Sequence, residues 1–160
     1  MNRWLMKSEP ETFGIDHLAR APERVAGWDG VRNYQARNLL RDRFCAGDRA
    51  FFYHSSCAEP GIYGIVEVTR AGHPDRTQFD RRSAHYDAKS DPKNPRWYQV
   101  QVRLLEKFAH PVTLATLRAH DAGALRDLAL LRRGNRLSVM PVSDDEWNFI
   151  ERLARETRAS

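Results

Sequence analysis

Trp28 is the side chain in this sequence best suited to meet a flat, polar ligand. It stands in the run Ala26-Gly27-Trp28-Asp29-Gly30-Val31-Arg32-Asn33-Tyr34-Gln35-Ala36-Arg37-Asn38, between two glycines and ahead of a helix studded with Asn, Tyr and Arg. A pure core segment does not read this way. A large aromatic in so polar and turn-rich a context is expected to stay at least half exposed, its face free to stack on a nucleobase. The structural alternative is a buried plug, whose indole N–H would want a partner.

Other residues of the right chemistry lie at strand ends. The strand-like Arg3-Trp4-Leu5-Met6-Lys7 gives way to Ser8-Glu9-Pro10. A lysine ammonium, a serine hydroxyl and the free backbone groups of a strand end can read the hydrogen-bonding edge of a base. They can equally form an ordinary turn, with Lys7 solvated and Ser8 bonded to local backbone. Glu9 either accepts from a base amino group or caps the next helix. Asn33 reads as a helix cap that can also touch a ligand, with Tyr34 beside it. Ser55 follows the strand that holds His54. Trp97, after Pro95-Arg96, is either a second aromatic wall or the first core residue of its strand. Lys89 and Ser90 are candidates for phosphate or sugar contacts.

Machinery for catalysis is thin. Ser8, His54 and Asp29 make a nominal triad, but no nucleophile elbow surrounds the serine. His85-Tyr86-Asp87 is the one close His/Asp pairing among six scattered histidines, too little for a metal site. Gly27 and Gly30 lack the pattern of a phosphate loop. The expectation is a binding module rather than an enzyme, without metal or cofactor.

The elements that must position these groups fit one domain over 1–160. The 41% hydrophobic content suffices for a packed core, and no apolar run approaches the roughly 20 residues of a membrane span. Without an apolar signal core at its start, the chain is expected in the cytoplasm, nucleoid association included, and not secreted. Cys45 and Cys57 lack metal-ligand spacing and read as free thiols. The net charge of +5 leans toward a polyanionic partner, although the Arg-heavy usage, 22 Arg to four Lys, also fits a GC-rich genome. Placement says more than the total. Arg32, Arg37, Arg41 and Arg43 crowd one helix, Lys89 and Arg96 belong to a basic loop, and Arg132, Arg133 and Arg136 form a third cluster.

Periodicity predicts strands over 3–7, 49–54, 61–69, 98–104 and 137–142. Helices are expected at Ile15 to Arg20 with Gly14 as cap, at about 34–43 with Asn33 as cap, and after Thr113. Another helical piece is expected around Leu125–Leu131, and a last helix opens on a Ser143/Glu146 capping box. Trp28 is left in a loop. The apolar residues on both faces of 61–69 suggest a strand inside a small closed barrel.

These segments together resemble the EVE domain family of the PUA-like superfamily. The resemblance rests on Lys7-Ser8, Trp28-Asp29-Gly30-Val31-Arg32-Asn33-Tyr34, Phe51-Phe52-Tyr53-His54-Ser55, Gly61–Val68, Tyr86-Asp87-Ala88-Lys89-Ser90, Pro95-Arg96-Trp97 and Arg136–Val142. It implies an α+β fold, a partly open small β-barrel flanked by helices. It also implies a partner: nucleic acid carrying a modified base, modified cytosine in DNA ahead of modified RNA such as YTH readers bind. The implied base pocket is Lys7, Ser8, Trp28, Asn33, Tyr34, Ser55 and Trp97, with Arg37, Arg41, Lys89 and Arg96 on phosphates. An enzyme or sensor acting on a modified nucleotide or other small ligand remains the alternative.

Overall fold

Both faces of one six-stranded sheet are covered, and this double burial organises the molecule. The computed structural model describes residues 1–159, with side chains through Glu156. The elements in chain order are β1 (Arg3–Ser8), α1 (Pro10–Phe13), α2 (Ile15–Arg20), β2 (Val25–Trp28), α3 (Tyr34–Asp42), β3 (Arg49–His54), β4 (Gly61–Pro74), β5 (Tyr98–Thr113), α4 (Leu114–Arg118), β6 (Val139–Pro141) and α5 (Asp144–Ala159). The strands lie in the order β2-β5-β4-β3-β1-β6. β1 runs parallel to β3, and the other neighbours are antiparallel.

Successive strand side chains point to opposite faces. Trp4, Met6, Phe52, Val66, Val102 and Leu104 therefore enter one core, closed by α2 and α3. Leu5, Phe51, Tyr53, Ile62, Ile65 and Phe108 enter the other, closed by α4 and α5. This corrects the closed-barrel reading of 61–69: β4 is apolar on both faces because each face has its own helical cover. The α+β class and the flanking helices are as expected. The sheet stays open, for among the described residues β2 and β6 each pair on one side only.

Local chemistry sets the helix starts. The Asn33 side chain accepts from Ala36 N at 2.9 Å, opening α3, and Thr113 does the same for Thr116 N at 3.1 Å, opening α4. Ser143 N donates to Glu146 Oε1 at 2.8 Å and Glu146 N donates to Ser143 Oγ at 3.2 Å, the reciprocal box that starts α5. Trp147 then stacks on Phe51 with centroids 3.7 Å apart. Gly64 lets α2 approach β4: a Cβ there would strike the Glu106 carbonyl and lie 2.5 Å from Ile15 Cδ1.

Several boundaries differ from expectation. β4 and β5 continue to Pro74 and Thr113 as one long ribbon, because register shifts let the pairing pass polar residues that had seemed to end the strands. Around Leu125–Leu131 there is no α-helix; turns lead to one 3₁₀ turn at Ala129–Leu131, with Leu125 and Leu128 buried all the same. β6 is only Val139–Pro141. The segment before Trp28, expected as loop, is the edge strand β2. Cys45 and Cys57 are free. No helix among the described residues is long and apolar enough to cross a membrane.

Candidate functional site

β1 and β2 stand four places apart in the sheet, yet both line one cavity of about 770 Å³. The sheet curls enough to bring them together. Trp28, Phe13 and Val31 supply apolar wall, and Lys7, Ser8, Asp29 and Asn33 supply polar groups. Ser138 and Arg136 enter from the approach to β6, and His85 from the long loop between β4 and β5. β1 ends where Ser8 Oγ donates to Phe13 O at 2.7 Å, folding α1 back over the cavity.

Trp28 is only 5% exposed, which corrects the expectation of an open indole. Pairing of Trp28 with Val100 fixes it on the sheet, and it meets Phe52 and Phe13 edge-on at 5.2 and 6.0 Å. A polar neighbourhood in sequence became a buried one through strand pairing. Its N–H differs from the rest. Trp4, Trp97 and Trp147 donate to Asp48, Asp87 and Glu151 at 2.9, 2.8 and 2.6 Å. Among the described residues nothing accepts from Trp28 and no fully buried side-chain nitrogen or oxygen lacks a partner, so this N–H keeps access to solvent.

The rim is held by one carboxylate. Asp75 Oδ2 accepts from Gly30 N at 2.8 Å and Arg32 Nη1 at 3.1 Å, while Oδ1 accepts from Thr77 N and Oγ1 at 2.8 and 2.6 Å. Burial pushes this carboxyl up, but the bonds from Thr77, Gly30 and Arg32 together outweigh it and hold it below the usual range. Arg32 Nη2 also donates to His85 O at 2.7 Å, so the loop is tied to the pocket mouth. Gly30 adopts φ of +79°, and a Cβ there would lie 2.7 Å from His85 Nε2. Only glycine suits that turn. Burial, and then the neighbouring Asp75, raise the carboxyl of Asp29, and burial lowers the ammonium of Lys7.

Of the residues picked out in sequence, Lys7, Ser8, Trp28 and Asn33 come together at this cavity. Ser8 spends its hydroxyl on Phe13, and Asn33 caps α3. Tyr34, Ser55 and Trp97 lie outside the lining. Tyr34 is exposed and stacks on Trp97 at 4.9 Å, with the Arg37 guanidinium 4.9 Å from its ring. Trp97 is buried, and Ser55 N donates to Ser8 O at 3.0 Å. Arg37 Nη1 donates to Arg96 O at 2.8 Å, and Arg41 pairs with Asp42 at 2.7 Å. Arg96 is 4.0 Å from Asp87, and Lys89 is exposed. Ser90 Oγ donates to Gln78 Oε1 at 2.6 Å, an internal loop bond. Asp75 and Gln78, which order the loop, were not picked out in sequence. The Asp75-Arg76-Thr77 step, an Asx turn, was the one local signal for the first.

The nominal triad does not form. His54 Nε2 accepts from Ile15 N at 3.1 Å, and the ring is buried against Tyr63 at 4.0 Å. Its work is to start α2. Burial depresses its pKa below 6.5, so the unfolded chain takes up a proton that the fold resists. Stability is full above that value and falls as pH drops below it. His54→Gln keeps an acceptor without titrating. Thermal melts between pH 7.5 and 4.5 are expected to show a smaller acid loss for this variant than for the parent.

The EVE domain matches residues 2–153 of this sequence. The chain belongs to the EVE domain family. Thymocyte nuclear protein 1 of Danio rerio is 42% identical over 170 residues, covering 97% of this chain and 73% of that protein. A protein from Pseudomonas putida superimposes with a TM-score of 0.90 at 46% identity, covering 95% of this chain and 99% of that one. The human THYN1 protein, crystallised in complex with 5-methylcytosine containing DNA, superimposes at 0.91 with 39% identity, covering 96% and 98%. This EVE chain thus shares its fold with a protein captured on DNA.

Proposed function

We propose that this EVE domain binds DNA and draws one extruded base, a modified cytosine, into the Trp28 cavity. The observation that carries the reading is the cavity itself, lined by the aromatic Trp28 and Phe13 together with Lys7, Glu9 and Asp29. The ligand is chosen by likeness to the human relative bound to 5-methylcytosine DNA. The module acts by binding, and no residue is assigned a catalytic role.

Energetics divide the labour. Extruding a base costs a few kcal/mol, and one stacking aromatic returns about 1–3 kcal/mol. Phosphate contacts supply the remainder, so affinity falls steeply with salt. Arg136, exposed among the cavity's lining residues, is one cation for that role, with Arg37, Arg41, Lys89 and Arg96 outside the lining. Lys7, Ser8 and Asn33 stay in the pocket; Tyr34, Trp97 and Ser55 back its rim.

Fluorescence anisotropy tests this on matched oligonucleotides at two salt concentrations: DNA with cytosine, 5-methylcytosine or 5-hydroxymethylcytosine, and RNA with adenosine or N6-methyladenosine. The expected result is salt-sensitive DNA binding with a preference of about 10–200-fold at most for the modified cytosine, the worth of one methyl in an apolar pocket. Uniform binding across the panel overturns base reading, and preference for methylated RNA moves the ligand.

A further inference from the structure

We infer that Asp29 tells 5-methylcytosine from thymine in this cavity, by accepting a hydrogen bond from the exocyclic amine of the base. The inference rests on the proposed DNA-reading function. Thymine carries the same ring methyl as 5-methylcytosine, so an apolar wall treats the two alike. They differ where cytosine has an N4 amine and thymine an O4 acceptor. Only an acceptor aligned with that position separates them.

The lining offers two carboxylates, Glu9 and Asp29. Asp29 follows Trp28 directly, and both residues line the cavity. Its backbone is fixed on both sides, by the Trp28–Val100 pair and by Gly30 N donating to Asp75 at 2.8 Å. No other described residue donates a hydrogen bond to its carboxylate, whose one bond comes from its own backbone. The carboxylates of Asp48, Asp75 and Asp87 already hold Trp4, Arg32 and Trp97. Burial and the charge of Asp75 penalise the ionised form more than His85 and Arg32 favour it, and an incoming N–H relieves that penalty. Glu9 has a longer side chain and must lose more rotamer freedom to reach the same point. Against thymine, the carboxylate would face the O4 lone pairs and repel.

The test uses duplexes with a single 5-methylcytosine, thymine or cytosine, each opposite guanine, bound by the parent, Asp29→Ala and Glu9→Ala. The parent is expected to favour 5-methylcytosine over thymine by about 10–100-fold. The mismatched thymine is the easier base to extrude, which works against that preference. Asp29→Ala should bring the ratio to about threefold or less while keeping the preference for 5-methylcytosine over cytosine, since the methyl contact stays. If Asp29→Ala keeps the full ratio, or Glu9→Ala erases it, the inference is overturned while base reading stands. If the parent itself favours no base, base reading fails and takes the inference with it. Asp29→Asn reports on folding: the raised pKa makes ionised Asp29 a cost as pH rises, so this variant should melt above the parent at pH 7 and lose the gain toward pH 4.

Discussion

Asp75→Ala is expected to destabilise the protein by about 3–5 kcal/mol and to remove base selectivity in the fraction that stays folded. The Asp75 side chain is 0% exposed and is the counter-charge of Arg32, itself 23% exposed. Removing one partner of a buried pair leaves the other charge uncompensated, which costs more than the pair contributed. Gly30 N and Thr77 N lose their acceptor in the same step. Arg32 then keeps only its bonds to neutral acceptors, Val31 O, Thr77 Oγ1 and His85 O, and the rim loosens from the loop.

Urea denaturation gives the stability change, and anisotropy at low temperature gives the binding. Asp48→Ala is the comparison. Asp48 is buried too and accepts from Trp4 Nε1, Asn2 N and Cys45 N at 2.9 Å each, but it does not line the cavity. It should lose stability and keep selectivity. Equal loss of selectivity in both would mean that the rim senses global stability and that Asp75 has no special place. The pH sign gives a further check. The folded pKa of Asp75 lies below 3.8, so its contribution is present above that value and is lost as pH falls through the folded pKa. Asp75→Asn should flatten that acid limb.

The helix starts were legible because they are local. Asn33, Thr113 and the Ser143/Glu146 box each act over three residues, and the sequence shows that spacing directly. Val100, Val102 and Leu104 declared their face by alternation for the same reason. Trp28 was harder. Its neighbours Gly27, Asp29 and Gly30 are polar or small, and its burial comes from Phe13, Phe52 and β5, distant in sequence. Chemistry marked the residue as notable, while only the fold fixed how it is presented. Asp75 and Gln78 were less visible still. Gln78 accepts from Ser90 and Trp97 N and donates to Asp75 O and Trp97 O, contacts that close only once the loop has turned back. Tyr34 read as a pocket residue because it adjoins Asn33, and Trp97 as a second aromatic wall because it follows Pro95-Arg96; the two stack on each other outside the cavity lining, a contact between segments distant in sequence.

Replacing Trp28 should have the largest effect on binding, and its burial dictates how the experiment is done. Trp28→Ala removes a core side chain at a cost of about 3–5 kcal/mol, comparable with the whole stability of a small domain. Lost binding in that variant alone would not separate an absent wall from an absent fold. Trp28→Phe keeps most of the apolar contact with Phe13 and Phe52 but gives up ring area and the open N–H. It should fold, bind DNA with unchanged salt dependence, and lose part of the preference for the modified base. Trp28→Ala, measured where circular dichroism shows it folded, should lose the rest of that preference with the methyl contact, and about 5–150-fold in affinity for either base from a stacking worth about 1–3 kcal/mol. Weak, salt-sensitive binding should survive in both, because Arg136 and the outer arginines are untouched. A folded Trp28→Ala that still separates modified from unmodified cytosine as the parent does would place the reading site elsewhere. The cavity would then be a structural gap between the curled ends of the sheet.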